Sequence, residues 1–414
     1  MKILFLAPQP FYQERGTPIA VRLASEVIAR RHDVRVTLMT YQEGTDVPIP
    51  NVSHVRVSPI PALSNIQPGF SLKKLYTDLF FFGAILKALW KNRNDQFELI
   101  HAVEESVFMA LVIKWALGIP YIYDMDSSLS LQIIEKMPWC KFLEPLLQWL
   151  ENLAIRNSVA VVPVCDALAI LAESGGSKRT QILPDISLLD YNHSTDPATD
   201  SSLASDEPDL RREADIPDDA SIILYVGNLE KYQGIDLLIE GFAHVHLKHP
   251  NAYLLIIGGT DRHITAYREK ILRLEIPSKR AQLLGPRPVA MLSAYLMQAD
   301  ILTSPRTLGN NTPMKVYSYL HAGIPLLATK LPTHTQVLTD EVAQLAEPRP
   351  DEFGEALDTL LTSRTRRDEI STNARKLAEE KYTFEVFERK LNRLYDGVHS
   401  DIKEEPATSF QRRS

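Results

Sequence analysis

The order of segments in this chain implies an α/β protein built from two doubly wound, parallel-stranded domains that face each other across a cleft. Three observations carry that expectation. Short apolar runs such as MKILFLA, SIILYV and YLLIIG lack polar alternation, as strands buried on both faces require. A stretch with helical spacing follows each, which implies right-handed crossovers between parallel strands. The alternation also runs twice, interrupted by the polar, acidic stretch NHSTDPATDSSLASDEPDLRREADIPDD.

In order, Met1–Ala7 reads as the first strand, residues 18–31 as a helix and Asp33–Met39 as the second strand. A Pro-rich irregular stretch precedes a helix over residues 72–92. Glu98–Ala102, a helix over 104–117, Pro120–Asp124 and Val159–Val164 complete the first domain, residues 1–195. Residues 196–219 read as a linker. The second domain, residues 220–383, has strands at Ser221–Val226, Tyr253–Gly258, Ala281–Gly285, Asp300–Ser304 and Pro325–Thr329. Phe384, Phe387, Leu391, Leu394 and Tyr395 form an apolar stripe, so residues 384–400 read as a helix packing back on the first domain. Residues 402–414 read as a polar tail. Ligands of doubly wound sheets bind outside the carboxyl ends of the strands, which makes the cleft the expected site.

Composition narrows the function classes. The 414 residues carry 45 Lys and Arg against 52 Asp and Glu, a net charge of −7, and so lack the basic footprint of a nucleic-acid binder. At 45% hydrophobic and 23% charged, the chain holds enough apolar material for full cores. Its two cysteines, Cys140 and Cys165, cannot form a disulfide framework, which points to a reducing compartment. The first residues lack the pattern of a signal peptide, and the longest apolar run, Leu79–Leu86, is far short of the roughly 20 residues a membrane span needs. The expected location is cytoplasmic, with a peripheral contact on the inner face of the membrane.

Three loops carry the chemistry. After the first strand, Gly16 opens a helix and lets backbone approach a ligand. In VGNLEKYQGIDLLIEGF, a strand ends at Gly227 and a helix opens at Gly234; Asn228, Lys231 and Gln233 lie between them. In LTSPRTLGNNTPMKVYSYLHAGIPLLAT, the loop holds Gly309, Asn310, Asn311 and Thr312, and Pro313 fits the first helical position. Free N–H groups at that helix start, with the Thr312 hydroxyl, can cradle a diphosphate. Lys315 opposes the helix dipole there, a conflict that a bound anion resolves. Asp124-Met125-Asp126 offers a polar contact to sugar or acceptor, and Asp126 or Ser127 equally suits a helix cap. His334 is a candidate for the donor's base or phosphate. His244, His246 and His249 read as a solvated helix face, and no metal site is expected.

At the third loop the sequence resembles a known family. The helix followed by HAGIPLLAT is similar to the donor-binding segment of GT-B glycosyltransferases, in particular the retaining glycosyltransferase family 4. VGNLEKYQGIDLLIEGF, LLGPRP, QADILTSP and, more loosely, ILFLAP, ELIHA and VAVVPVCDALAIL resemble further segments of it. The resemblance implies two Rossmann-like domains, a nucleotide-diphosphate sugar as donor on the second, a glycan, lipid or lipid-linked sugar as acceptor on the first, and hexosyl transfer with retention and no metal cofactor. It maps the family's Glu pair onto Asn310 and Ser318, for sugar and ribose, and its phosphate-binding Arg and Lys onto Asn228 and Gln233. Lys231 and Arg287 are placed to compensate for the missing charge. Gly16, Lys231, Asn311, Thr312 and Lys315 are then expected to stabilise the diphosphate, and Asn310 and Asp126 to act at the sugar or acceptor.

Two segments, Phe70–Arg93 and Met137–Arg156, mix aromatic and basic residues as interfacial helices do, although helices packed on a sheet also need apolar faces. Two other readings stay open: a catalytically impaired homologue that binds a nucleotide or glycan, motivated by the altered Glu pair, and a nicotinamide-dependent oxidoreductase. The missing G-x-G-x-x-G counts against the second.

Overall fold

The computed structural model describes residues 1–13, 16–58, 66, 71–189 and 208–404. It divides into two compact units: Met1–Pro184 with the chain from Phe387 onward, and Asp185–Val386.

The first unit holds a six-stranded parallel sheet. Its strands are β1 (Lys2–Ala7), β2 (Arg35–Thr40), β3 (Val52–Arg56), β4 (Leu99–Val103), β5 (Tyr121–Met125) and β6 (Ala160–Pro163), in the order β3-β2-β1-β4-β5-β6. The residues of β1 and β4 that pair, such as Ile3 with Leu99, are fully buried, which is why those runs read as unbroken apolar sequence. Strand β3 lies within the stretch expected to be irregular. It is an edge strand whose residues alternate in exposure, so its sequence VSHVR carries no continuous apolar run.

The helices Leu72–Lys91, Ser106–Leu117 and Glu144–Asn157 share one core. Phe81, Ile85, Ala110, Leu111, Ala154 and Ile155 pack together with sheet residues such as Leu4, Ile100 and Tyr121. The last helix, Phe384–Glu404, belongs to this unit for most of its length. In the turn after the first helix, Gly16–Ala29, Arg31 reaches Asn392 and Asp396, and Arg30 reaches Glu388. Residues 405–414 of the expected tail lie outside the described residues, while Ile402 ends within this helix.

The second unit repeats the architecture with β7 (Ser221–Val226), β8 (Ala252–Ile257), β9 (Ala281–Gly285), β10 (Ile301–Ser304), β11 (Leu326–Thr329) and β12 (Gln344–Ala346), in the order β12-β11-β10-β7-β8-β9. The unit begins earlier than the sequence implied. Residues 190–207 of the expected boundary region lie outside the described residues, but Leu189, Leu210, Ala214, Ile216 and Ala220 sit in the unit's core with Leu224 and Leu302. Residues 208–219 are therefore part of this unit and not a linker; their few apolar side chains are spaced to reach one core. Among the described residues no helix is long and apolar enough to cross a membrane.

Candidate functional site

Strand order fixes where a site can form. In the second unit the chain runs one way from β7 through β8 to β9 and then crosses back to β10 on the other side of β7, so the strand order reverses between β7 and β10. In a doubly wound sheet the loops leaving the two strands at such a reversal are where a ligand is expected. They are the two loops singled out from the sequence, Gly227–Gly234 and Pro305–Pro313.

The loops lock together through close backbone contact. Gly234 has φ +73°, and a Cβ there would lie 1.9 Å from the Pro305 carbonyl oxygen. The Thr307 N–H donates to the Tyr232 carbonyl at 2.9 Å. Within the second loop, Gly309 has φ +120° and packs on the Arg306 guanidinium. Arg306 donates to the Leu308 carbonyl at 2.7 Å and to the Asn311 carbonyl at 3.2 Å, and lies over the Tyr232 ring. The loop is thus folded around a cation that the sequence reading passed over. Arg306 is the one cation between Ser304 and Pro313, and that was the available signal.

The helix Met314–Ala322 starts at this mouth with no side-chain cap. Pro313 precedes the helix instead of filling its first position, and its carbonyl accepts the Val316 N–H at 2.9 Å. The Thr312 side chain is buried, and its hydroxyl has no hydrogen-bond partner among the described residues. The Lys315 ammonium lies 3.8 Å from the Tyr225 ring centroid and 3.3 Å from the Gln233 side-chain oxygen. It also packs against Gly227, where a Cβ would come within 3.2 Å of it. Burial, reinforced by the positive Arg306, holds the Lys315 pKa well below the usual lysine range. No carboxylate balances this cation among its closest contacts, which leaves it suited to an anion. Asn228 and Lys231 are exposed on the same loop, and the Asn228 side chain accepts the Glu230 N–H at 3.2 Å. Asn310 is exposed at the tip, and its carbonyl accepts from Gln336. The structure therefore gathers Gly227, Asn228, Lys231, Gln233, Gly309, Asn310, Asn311, Thr312, Pro313 and Lys315 on two adjoining loops and one helix start.

Four expectations about this unit need correction. The Ser318 hydroxyl is fully buried and accepts the Leu188 N–H at 3.0 Å, so it ties the segment before the second unit's first helix to the core and does not face a ribose. Arg287 pairs with Glu213 at 3.0 Å and donates to the Leu284 carbonyl at 2.7 Å, which directs it into the turn after β9 and away from the β7/β10 mouth. His334 is fully buried between Ser304 at 2.8 Å and Thr329 at 2.9 Å; burial pushes its pKa down to about 3, and it staples β10 to β11. Nor is His246 solvated: it is buried and bonded to the Ala243 carbonyl.

Gly16 and Asp126 lie in the first unit, whose sheet reverses between β1 and β4. Gly16 opens the helix after β1, and a Cβ there would meet nothing within 4 Å. Asp126 follows β5. Ser128, and neither Asp126 nor Ser127, caps the next helix, Leu129–Lys136. Asp124 bonds His101 at 3.0 Å, and His101 bonds Tyr395 at 2.8 Å. Among the described residues no three His, Cys, Asp or Glu side chains are grouped as a metal would require. At the end of β4, Lys74 is held by Glu105 and Glu104.

Comparison with known proteins bears on the family and the fold. The family described as glycosyl transferases group 1 matches residues 206–377, and the glycosyl transferase 4-like domain matches residues 16–184. YtcC of Bacillus subtilis (strain 168), named as a glycosyltransferase, is 26% identical over 189 residues, 44% of this chain and 46% of that one, so the match spans about half of that relative. Sucrose-phosphate synthase from Thermosynechococcus elongatus superposes with a TM-score of 0.74 at 17% identity, covering 97% of this chain and 99% of that chain. Anabaena HepE, solved with UDP-glucose, superposes with a TM-score of 0.69 at 15% identity, covering 96% and 100%. With one family description matched on each half and the same architecture beneath both, the chain belongs to the group 1, family 4-like glycosyltransferases of GT-B fold.

Proposed function

We propose that this glycosyltransferase takes a sugar from a nucleotide-diphosphate donor held at the β7/β10 mouth and passes it, with retention of configuration, to a glycan, lipid or lipid-linked sugar. The observation that carries the reading is the partly buried Lys315 ammonium, set against Gly227 beside an uncapped helix start and the unpartnered Thr312 hydroxyl.

As the bond from the anomeric carbon to the diphosphate breaks, its electron pair passes to the leaving oxygen. Donors fixed where that charge grows stabilise the transition state more than the ground state. The helix N–H groups, Lys315 and Thr312 supply them, with Lys231 and Asn311 at the rim and Gly16 on the first unit. In this reading the reaction calls on no metal. The acceptor hydroxyl attacks on the face the diphosphate leaves and gives its proton to the departing oxygen, so no protein nucleophile is needed. Asn310 and Asp126 position the sugar and the acceptor. The UDP-glucose bound by HepE makes UDP-glucose the first donor to try. The enzyme works on the cytoplasmic side, in peripheral contact with the membrane.

The test is thermal shift against a panel of nucleotide sugars, since a ligand bound to the native state raises the melting temperature. One or more donors should stabilise the parent. Lys315→Ala should weaken that donor by about ten- to a hundredfold while melting close to the parent without ligand. Equal affinity in the two proteins would remove Lys315 from the phosphate site.

A further inference from the structure

The three helices that cover one face of the first sheet turn an unusual surface outward. All four tryptophans of the chain lie on them or on the turn Pro138–Leu143 that leads into the last of them. Each is more than half exposed: Trp90 at 70%, Trp115 at 60%, Trp139 at 72% and Trp149 at 56%. Tryptophan is ordinarily among the more buried residues, and its exposure here is not isolated. Leu79, Phe80, Val112, Phe142 and Leu146 stand exposed on the same segments. In the second unit, exposed large apolar residues among those described are single, separated positions such as Leu247 and Leu272.

The three helices share one core against one sheet face, so these side chains project from one side of the unit. Cations border them. Lys87, Lys91, Arg93 and Lys141 are exposed, and Arg93 lies over the Trp90 ring at 5.1 Å. This basic edge stands out in a chain of net charge −7. Between the helices Ser106–Leu117, Leu129–Lys136 and Glu144–Asn157 is a cavity of about 200 Å³, walled chiefly by Phe108, Leu129, Ile133, Leu147 and Leu150. Leu150 is partly open to solvent, so the cavity reaches the tryptophan-bearing surface. The polar groups at its edge are already satisfied, since the Ser130 hydroxyl donates to Glu151 at 2.6 Å.

We infer that this side of the first unit docks on an anionic lipid bilayer, with the tryptophans seated at the headgroup level and the cavity taking up an acyl chain. Indole rings favour the interface between headgroups and hydrocarbon, and Lys and Arg next to them gain from anionic headgroups. The dry, apolar cavity wall offers a chain what water cannot use. This deepens the proposed reaction by making its acceptor a lipid or lipid-linked sugar presented at a membrane, and rests on that reading only for the acceptor.

Sedimentation of the full chain with vesicles tests the inference apart from donor binding. The parent should sediment with vesicles of equal parts phosphatidylglycerol and phosphatidylcholine, and much less with phosphatidylcholine alone or at high salt. The exposed double variants Trp139→Ser/Phe142→Ser and Lys87→Glu/Lys91→Glu should each weaken binding at least about tenfold. Both should keep the parent's thermal shift with donor. Leu147→Trp, which fills the cavity, should lower vesicle binding severalfold and leave its salt dependence in place; Leu150→Ser, at the mouth, serves if that variant does not fold. Absence of binding to anionic vesicles overturns the docking. So does binding that neither double variant reduces, or a parent that dimerises through this face and loses the dimer in Trp139→Ser/Phe142→Ser. Vesicle binding unaffected by either cavity variant overturns the acyl-chain role.

Discussion

Lys315 shows how a single side chain acquires a function that its type alone does not confer. On a solvated helix it would be an ordinary cation. Here it lies on the Tyr225 ring at the first turn of a helix, where dipole, burial and Arg306 all oppose its charge. An incoming diphosphate reverses the balance by restoring a counter-charge. The pKa of Lys315 is therefore low in the free protein and rises on binding. Between those two values the complex holds a proton that the free protein does not, so binding takes up a proton and weakens as pH rises. Calorimetry of donor binding in buffers of different ionisation enthalpy should show this uptake at pH values below the usual lysine range. Lys315→Ala should abolish it. A parent with no buffer-dependent heat would mean that Lys315 is already charged or does not meet the phosphate.

The two loops of the donor mouth depend on each other's backbone. Gly234 ends the short turn after β7 in a left-handed conformation and touches the Pro305 carbonyl, so no side chain fits between them. Gly234→Ala should cost about 1–2 kcal/mol from the backbone conformation alone, and more from the forced separation of the loops. Donor affinity should fall with stability, since the separation moves Arg306 and the helix start. Chemical denaturation together with donor thermal shift checks both; a variant of parental stability would show that the loops can part freely. His334 supports the same mouth from below. Its ring joins Ser304 and Thr329, so His334→Ala leaves the buried Ser304 hydroxyl without that partner and Thr329 with only its bond to the Arg306 carbonyl, and should cost about 1–3 kcal/mol. An unfolding midpoint unchanged from the parent would count against that stapling role.

The chain's last helix connects distant parts of the sequence. Leu391, Leu394, Tyr395 and Val398 are almost completely buried, and Tyr395 bonds the buried His101 at the centre of the first sheet. Four such side chains represent about 6 kcal/mol or more of burial, comparable with the whole stability of an ordinary domain. Truncation before Phe384 should therefore unfold the first unit selectively. Hydrogen exchange should show protection lost in β1 and β4 and kept in β7 and β8. Tyr395→Phe is the milder form: it removes one buried bond, should cost about 1 kcal/mol, and leaves the helix in place.

Much of this was legible in the residue order. The central strands of both sheets are buried on both faces, so their apolar runs stand out, and the loops at the β7/β10 reversal were marked by glycine, asparagine and threonine before a helix. The short or edge strands β3 and β12 were not legible, because an edge needs no continuous apolar run. Side-chain direction was not legible either. Ser318, Arg287 and His334 have the chemistry of a donor site, yet each is taken by a backbone amide, a carboxylate or a pair of hydroxyls brought close only by folding. Hydrophobic pattern and turn chemistry are local properties, written in consecutive residues. The partner of a polar side chain is set by contacts across tens or hundreds of residues, and those exist only once the sheets are assembled.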